Sequence, residues 1–117
     1  MKKKTKNHKR SCCPVACTLD LIGDKWTLLI VRDLLAGKCY YRDFSNSPEG
    51  IATNILASRL EKLVEHGVAE KWTPNDEYSR EGYRLTAKGN ALEPVLASVA
   101  EWGLTHISGT EIKIKQK

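Results

Sequence analysis

From residue 50 to residue 86 the hydrophobic spacing changes from a helical period to short extended runs, and that change sets the elements of this segment. In G-I-A-T-N-I-L-A-S-R-L-E-K-L-V-E-H-G, Ile55, Leu56, Leu60 and Leu63 recur at spacings that fit 3.6 residues per turn. This predicts an amphipathic helix over 51–66, stopped by Gly67. The opposite face holds Thr53, Asn54, Ala57, Ser58 and Glu61, all small or polar towards the N-terminal end. A helix packed among other helices would not leave its first two turns so short and so ready to hydrogen-bond. A helix that enters a DNA groove would, because its side chains must reach base edges without blocking the approach. V-A-E-K-W at 68–72 and G-Y-R-L at 82–85 then read as paired strands around the polar loop T-P-N-D-E-Y-S-R-E. That loop is too long for a tight turn and has the length of a wing. The expected fold is mainly α with a small β-hairpin wing, a winged helix-turn-helix.

The flanking segments supply the rest of such a domain. Pro14 suits the first turn of a short helix in which Val15, Leu19 and Ile22 share a face and Gly23 is the stop. Asp24 is placed to cap D-K-W-T-L-L-I-V-R-D-L-L-A-G, whose apolar residues Trp26, Leu28, Leu29, Ile30, Val31, Leu34 and Leu35 run nearly all round it. This is the expected central core helix. A short helix at 41–47 is anchored by Tyr41 and Phe44, and S-P-E-G at 47–50 is a turn by composition. Thr86 caps a last helical segment that Pro94 should bend or divide. Leu92, Val95, Leu96, Val99, Trp102 and Ile107 form a stripe there that a small domain cannot cover alone. The expected domain spans 12–108, between a basic arm at 1–11 and a polar tail at 109–117, and the stripe calls for a dimer.

Composition changes this picture little. The 117 residues fit one domain, and no run of about 18 apolar residues predicts a membrane span. The basic N-terminus has no apolar segment behind it, so a cytoplasmic address is expected rather than secretion. Charge is uneven: of 19 Lys and Arg, six lie in residues 1–10, leaving 13 against 14 acidic residues in the body. Global charge therefore says little about DNA, and local placement decides. Arg59, Lys62, Lys71, Arg80, Arg84 and Lys88 fall on or near the helix and hairpin. The arm reads as a solvated tail by default.

The order and wording of these segments resemble the HxlR-type transcriptional regulators, a bacterial family of dimeric winged-helix proteins. The resemblance runs through C-P-V, T-L-D-L-I-G-D-K-W-T-L-L-I-V-R-D-L-L-A-G, E-G-I-A-T-N-I-L-A-S-R-L-E-K-L-V-E-H-G, Y-R-L-T-A-K-G and V-A-E-W-G, roughly residues 13 to 107. It implies a homodimer built from the terminal helices, with Val15, Leu19, Leu96, Val99 and Trp102 as interface residues, and one reading helix per subunit on each operator half-site. It also implies a response to oxidants or electrophiles through a cysteine at the start of the first helix, the place of Cys13. Three features depart from the family pattern: Cys12 doubles that cysteine, Cys17 stands where a charged residue is usual, and Cys39 precedes the short helix. The wing lacks the proline-rich run often seen in the family.

The candidate residues have plainer readings beside these. Thr53, Asn54, Ala57 and Ser58 form an ordinary solvated face unless the winged-helix order holds; with it, Asn54 suits an adenine edge and Thr53 a phosphate. Arg59 either joins Lys62, Arg80 and Arg84 on DNA or braces Glu61, Glu65 or a backbone carbonyl. Cys12, Cys13 and Cys17 are inert small side chains, or sensing thiols favoured as thiolates by the helix N-terminus, Lys9 and Arg10. With His8 they also number four zinc donors, but adjacent cysteines ligate one metal poorly and the usual pair spacing is missing, so no metal or other cofactor is expected. Trp26, Trp72 and Trp102 suit core or interface packing better than a ligand pocket, and His66 and His106 suit helix ends. No catalytic constellation stands out, and an enzyme is not expected. The expected function is sequence-specific binding to a double-stranded DNA operator, with a small-molecule or oxidant effector. The alternatives are a winged-helix module for protein–protein contact and a metal-responsive regulator.

Overall fold

The computed structural model describes residues 10–74 and 80–112. Helix α1 (Pro14–Ile22) leads to α2 (Thr27–Leu35), the short α3 (Tyr41–Ser45) and the long α4 (Thr53–Glu65). Strands β1 (Ala69–Trp72) and β2 (Gly82–Leu85) follow, then α5 (Ala87–Asn90) and α6 (Glu93–His106). The strands pair antiparallel, with Ala69 opposite Leu85 and Trp72 opposite Gly82.

One core joins these elements. Ile30, Val31 and Leu34 of α2, Phe44 of α3 and Leu56, Leu60 and Leu63 of α4 are buried together with Val68 and Ala69. Full burial of each such large side chain contributes about 2 kcal/mol. Gly67, at φ +73°, turns the chain from α4 into β1 in the left-handed region where a Cβ would be strained. The Tyr83 N–H donates to the Cys39 carbonyl at 2.9 Å and ties the start of β2 to the loop before α3.

Several boundaries move from the sequence expectation. The helix expected from Ile51 begins at Thr53, because the turn at Gly50 (φ +70°) leaves Ile51 to pack on the core ahead of it. Val68 stands outside β1, its carbonyl accepting from the Thr86 N–H at 3.0 Å. Gly23 does end α1, but at φ −80° and so not through a left-handed conformation. It is small for another reason: a Cβ there would come within 2.4 Å of the Leu19 carbonyl oxygen. The N-cap of α2 is Trp26 and not Asp24. Asp24 lies two residues ahead of it and accepts from the Trp26 and Thr27 N–H groups at 3.1 Å each, because the turn at Lys25–Trp26 delays the helix to Thr27. The last helical segment is divided: α5 is capped by the Thr86 hydroxyl, and α6 opens with Pro94 in its first turn.

Helix α6 has no buried residue. Val99 is 53 % exposed and Trp102 62 %, its ring set against His106 at 4.9 Å. Val15 and Leu19 of α1 are also exposed. Between α1, the start of α2 and α6 lies an apolar groove of about 520 Å³, lined by Val15, Leu19, Leu28, Val95 and Val99, with Asp24 at its edge. Among the described residues, no helix is long and apolar enough to cross a membrane.

Candidate nucleic-acid interface

The start of α4 is held from below by hydrogen bonds. The Tyr41 hydroxyl donates to the Thr53 carbonyl at 2.7 Å. Behind it Arg32 grips Glu49 through two hydrogen bonds of 2.8 Å, fastening α2 to the turn that precedes α4. The hydrogen bonds from Arg32 hold the Glu49 carboxyl below its ordinary range, against a smaller opposing effect of burial. Asp33, 5 % exposed, is satisfied by the buried Ser47 hydroxyl, by Arg32 at 3.0 Å and by Lys38 at 3.8 Å. Sequence reasoning passed over this network. Its signal was a carboxylate in the middle of an apolar helix, which cannot be buried without partners.

On this base Thr53, Asn54, Ala57 and Ser58 are exposed together on the outer face of α4. Among the described residues, nothing hydrogen-bonds the Asn54 side chain or the Thr53 hydroxyl. Ala57 adds no bulk between them. The face is shallow, polar and backed by a buried flank of Leu56, Leu60 and Leu63.

The expected cations divide between two other places. Arg59 Nε donates to Asp24 Oδ2 at 2.9 Å and Nη1 to Ser58 Oγ at 3.2 Å, so its brace is Asp24 and not Glu61, Glu65 or a carbonyl. Burial opposes ionisation of Asp24, but hydrogen bonds from Thr27, Arg59 and the Trp26 N–H outweigh it and bring the carboxyl down to about 2. Lys62 Nζ donates to the Asp20 carbonyl at the end of α1, 3.1 Å away. On the wing Arg84 pairs with Glu70 at 2.8 Å, across the strands, and lies 5.1 Å from the centre of the Trp72 ring. Arg80 sits 4.2 Å over the Tyr40 ring. The rest of the expected wing tip, residues 76–79, falls outside the described residues.

The four cysteines are free thiols; Cys12 and Cys13 are exposed, Cys17 and Cys39 half-buried. Cys17 Sγ donates to the Ser11 carbonyl at 3.3 Å. Arg10 pairs with Asp20 at 2.7 Å and donates to the Ala16 carbonyl, next to Cys17, at 3.3 Å. Lys9 and His8 lie outside the described residues. Among those described, no three His, Cys, Asp or Glu side chains gather as a metal-holding group.

A three-helix core, a reading-type helix with a bare polar face and a following hairpin together define a winged helix-turn-helix protein. The model of the HxlR-like helix-turn-helix family matches residues 21–111, and the chain belongs to that family. The uncharacterized HTH-type transcriptional regulator YdeP of Bacillus subtilis is 33 % identical over 91 residues, 78 % of this chain and 71 % of its own length. The crystal structure of PA1607 is 40 % identical and superposes with a TM-score of 0.78, covering 94 % of this chain and 86 % of the other. The redox regulator HypR in its oxidized form is 28 % identical at a TM-score of 0.72, covering 86 % and 100 %.

Proposed function

We propose that this chain acts as a homodimeric, sequence-specific DNA-binding regulator of transcription, with α4 in the major groove and the wing on the backbone or minor groove. The observation that carries this reading is the exposed face of Thr53, Asn54, Ala57 and Ser58 on a helix braced from below by Tyr41 and by the Arg32–Glu49 pair. Asn54 has the donor and acceptor needed for an adenine edge, and Thr53 near the helix start suits a phosphate. Arg80 and Arg84 are the wing cations available to a phosphate, Arg84 by exchanging its pairing with Glu70.

The second copy covers the apolar face of α1 and α6, through Val15, Leu19, Leu96, Val99 and Trp102, and so spaces the two reading helices. The exposed Cys12 and Cys13 lie at the start of that same α1, with Cys17 one turn further on. Modification of Cys13 by an oxidant or electrophile then changes the spacing of the reading helices and with it operator affinity. HypR, similar in fold, is a redox regulator, which supports this reading.

Selection of duplexes from a random-sequence pool by the reduced protein tests the DNA function. The expected product is an inverted repeat with half-sites about one helical turn apart; a pool that stays random contradicts it. Treatment with a thiol oxidant should release the selected duplex from the native protein and not from Cys13→Ser. An equal response in both would remove Cys13 from the switch.

A further inference from the structure

Two polar struts fasten the inner flank of α4 to the corner between α1 and α2. In the first, Arg59 Nε reaches Asp24 Oδ2 at 2.9 Å, while the same carboxylate accepts from the Trp26 and Thr27 N–H groups and from the Thr27 hydroxyl. Both side chains are less than a third exposed, so solvent screens the pair only in part. In the second, three residues along α4, Lys62 Nζ reaches the Asp20 carbonyl at 3.1 Å. Arg59 stands next to Ser58 on the reading helix, whereas Asp24 lines the edge of the groove between α1 and α6. The corner thus touches the reading helix on one side and the apolar groove on the other.

We propose that Asp24 is a positioning residue for DNA reading, which through Arg59 sets the angle of the Thr53–Asn54–Ser58 face relative to the α1–α6 groove. The inference rests on α4 being the DNA-entering helix. Arg59 then serves as a fastener, and its cation is not a phosphate contact. Because Asp24 is off the outer face of α4, its substitution removes no contact to DNA, yet it loosens the helix that makes them.

The test compares Asp24→Asn, Arg59→Met and the double variant with the native protein in three readouts. These are affinity for a selected operator duplex against a scrambled one, the salt dependence of that affinity, and amide hydrogen exchange over residues 53–59 without DNA. Each single variant should lower the operator preference about tenfold, and the double variant should be no worse than the poorer single one, as for two residues acting through one contact. The salt slope should stay unchanged and exchange in the first turns of α4 should quicken. Native preference and native exchange in Asp24→Asn would overturn the proposal. So would a salt slope lower by about one in Arg59→Met, the sign of a lost phosphate contact. If Asp24→Asn fails to fold, Arg59→Met decides alone, since it leaves the hydrogen bonds from the Trp26 and Thr27 N–H groups to Asp24 intact. A native protein that does not distinguish the two duplexes defeats the DNA reading, while the exchange comparison still decides whether Asp24 holds α4.

Discussion

Helices α4 and α6 are nearly the same length, 13 and 14 residues, and they present opposite chemistry to solvent. Helix α4 buries Leu56, Leu60 and Leu63 in the core and shows Thr53, Asn54, Ala57 and Ser58 outside. Helix α6 buries nothing within the chain and shows Val95, Val99, Trp102 and Leu104. The first helix takes its position from the monomer, so its outer face is free to be polar and shaped for a hydrogen-bonding partner. The second buries none of its own residues in the core and exposes a run of apolar groups, the kind of surface that marks an interaction site. One domain thus carries an exposed polar face and an exposed apolar face, and the α1–α2 corner lies between them.

Substitutions on the two helices should separate these roles. The largest effect belongs to the buried side of α4: Leu60→Ala should lower unfolding stability by about 3 kcal/mol in a urea titration. A loss below about 1 kcal/mol would show that the core does not hold the reader. On α6, Val99→Asp should weaken self-association about 100-fold in sedimentation equilibrium while the circular dichroism of the fold stays native. An undiminished dimer would place the joint elsewhere. The corner has an acid signature. The Asp24 carboxyl falls from its ordinary 3.8 to about 2 in the folded chain, so its contribution is present above about pH 4 and is lost as pH falls towards 2. That contribution is about 2 kcal/mol, and Asp24→Asn should lack this part of the acid unfolding profile. The smallest effect on stability belongs to the outer face of α4. Asn54→Ala should leave stability within about 0.5 kcal/mol and reduce operator discrimination by about 1–2 kcal/mol. Native discrimination in that variant would remove Asn54 from base reading.

Much of this contrast was legible in the sequence because it rests on period. The spacing of Leu56, Leu60 and Leu63 marked the buried side of α4, and the apolar stripe marked an exposed surface through Val95, Val99, Trp102 and Ile107, although its first member, Leu92, packs on the core. Pro94 marked the division between α5 and α6, and Asp24 the approach to α2, two residues before its N-cap Trp26. The cations were not legible, because a charge chooses its partner through three-dimensional packing. Arg59 had Glu61 and Glu65 close by in sequence, yet the angle between α4 and the start of α2 delivers Asp24, 35 residues away. Lys62 similarly finds a main-chain carbonyl, which no side-chain pattern advertises. The Arg32–Glu49 clamp escaped for the same reason, although the buried Asp33 beside it was a hint.

The most direct measurement is a fluorescence-anisotropy titration of the reduced protein against a selected operator duplex and a scrambled duplex, repeated over a range of salt. Nanomolar binding to the operator, at least about a thousandfold tighter than to the scrambled duplex and weakening steeply with salt, is the expected result. Equal, weak binding to both duplexes at every salt concentration would contradict the assignment of α4 as a DNA reader.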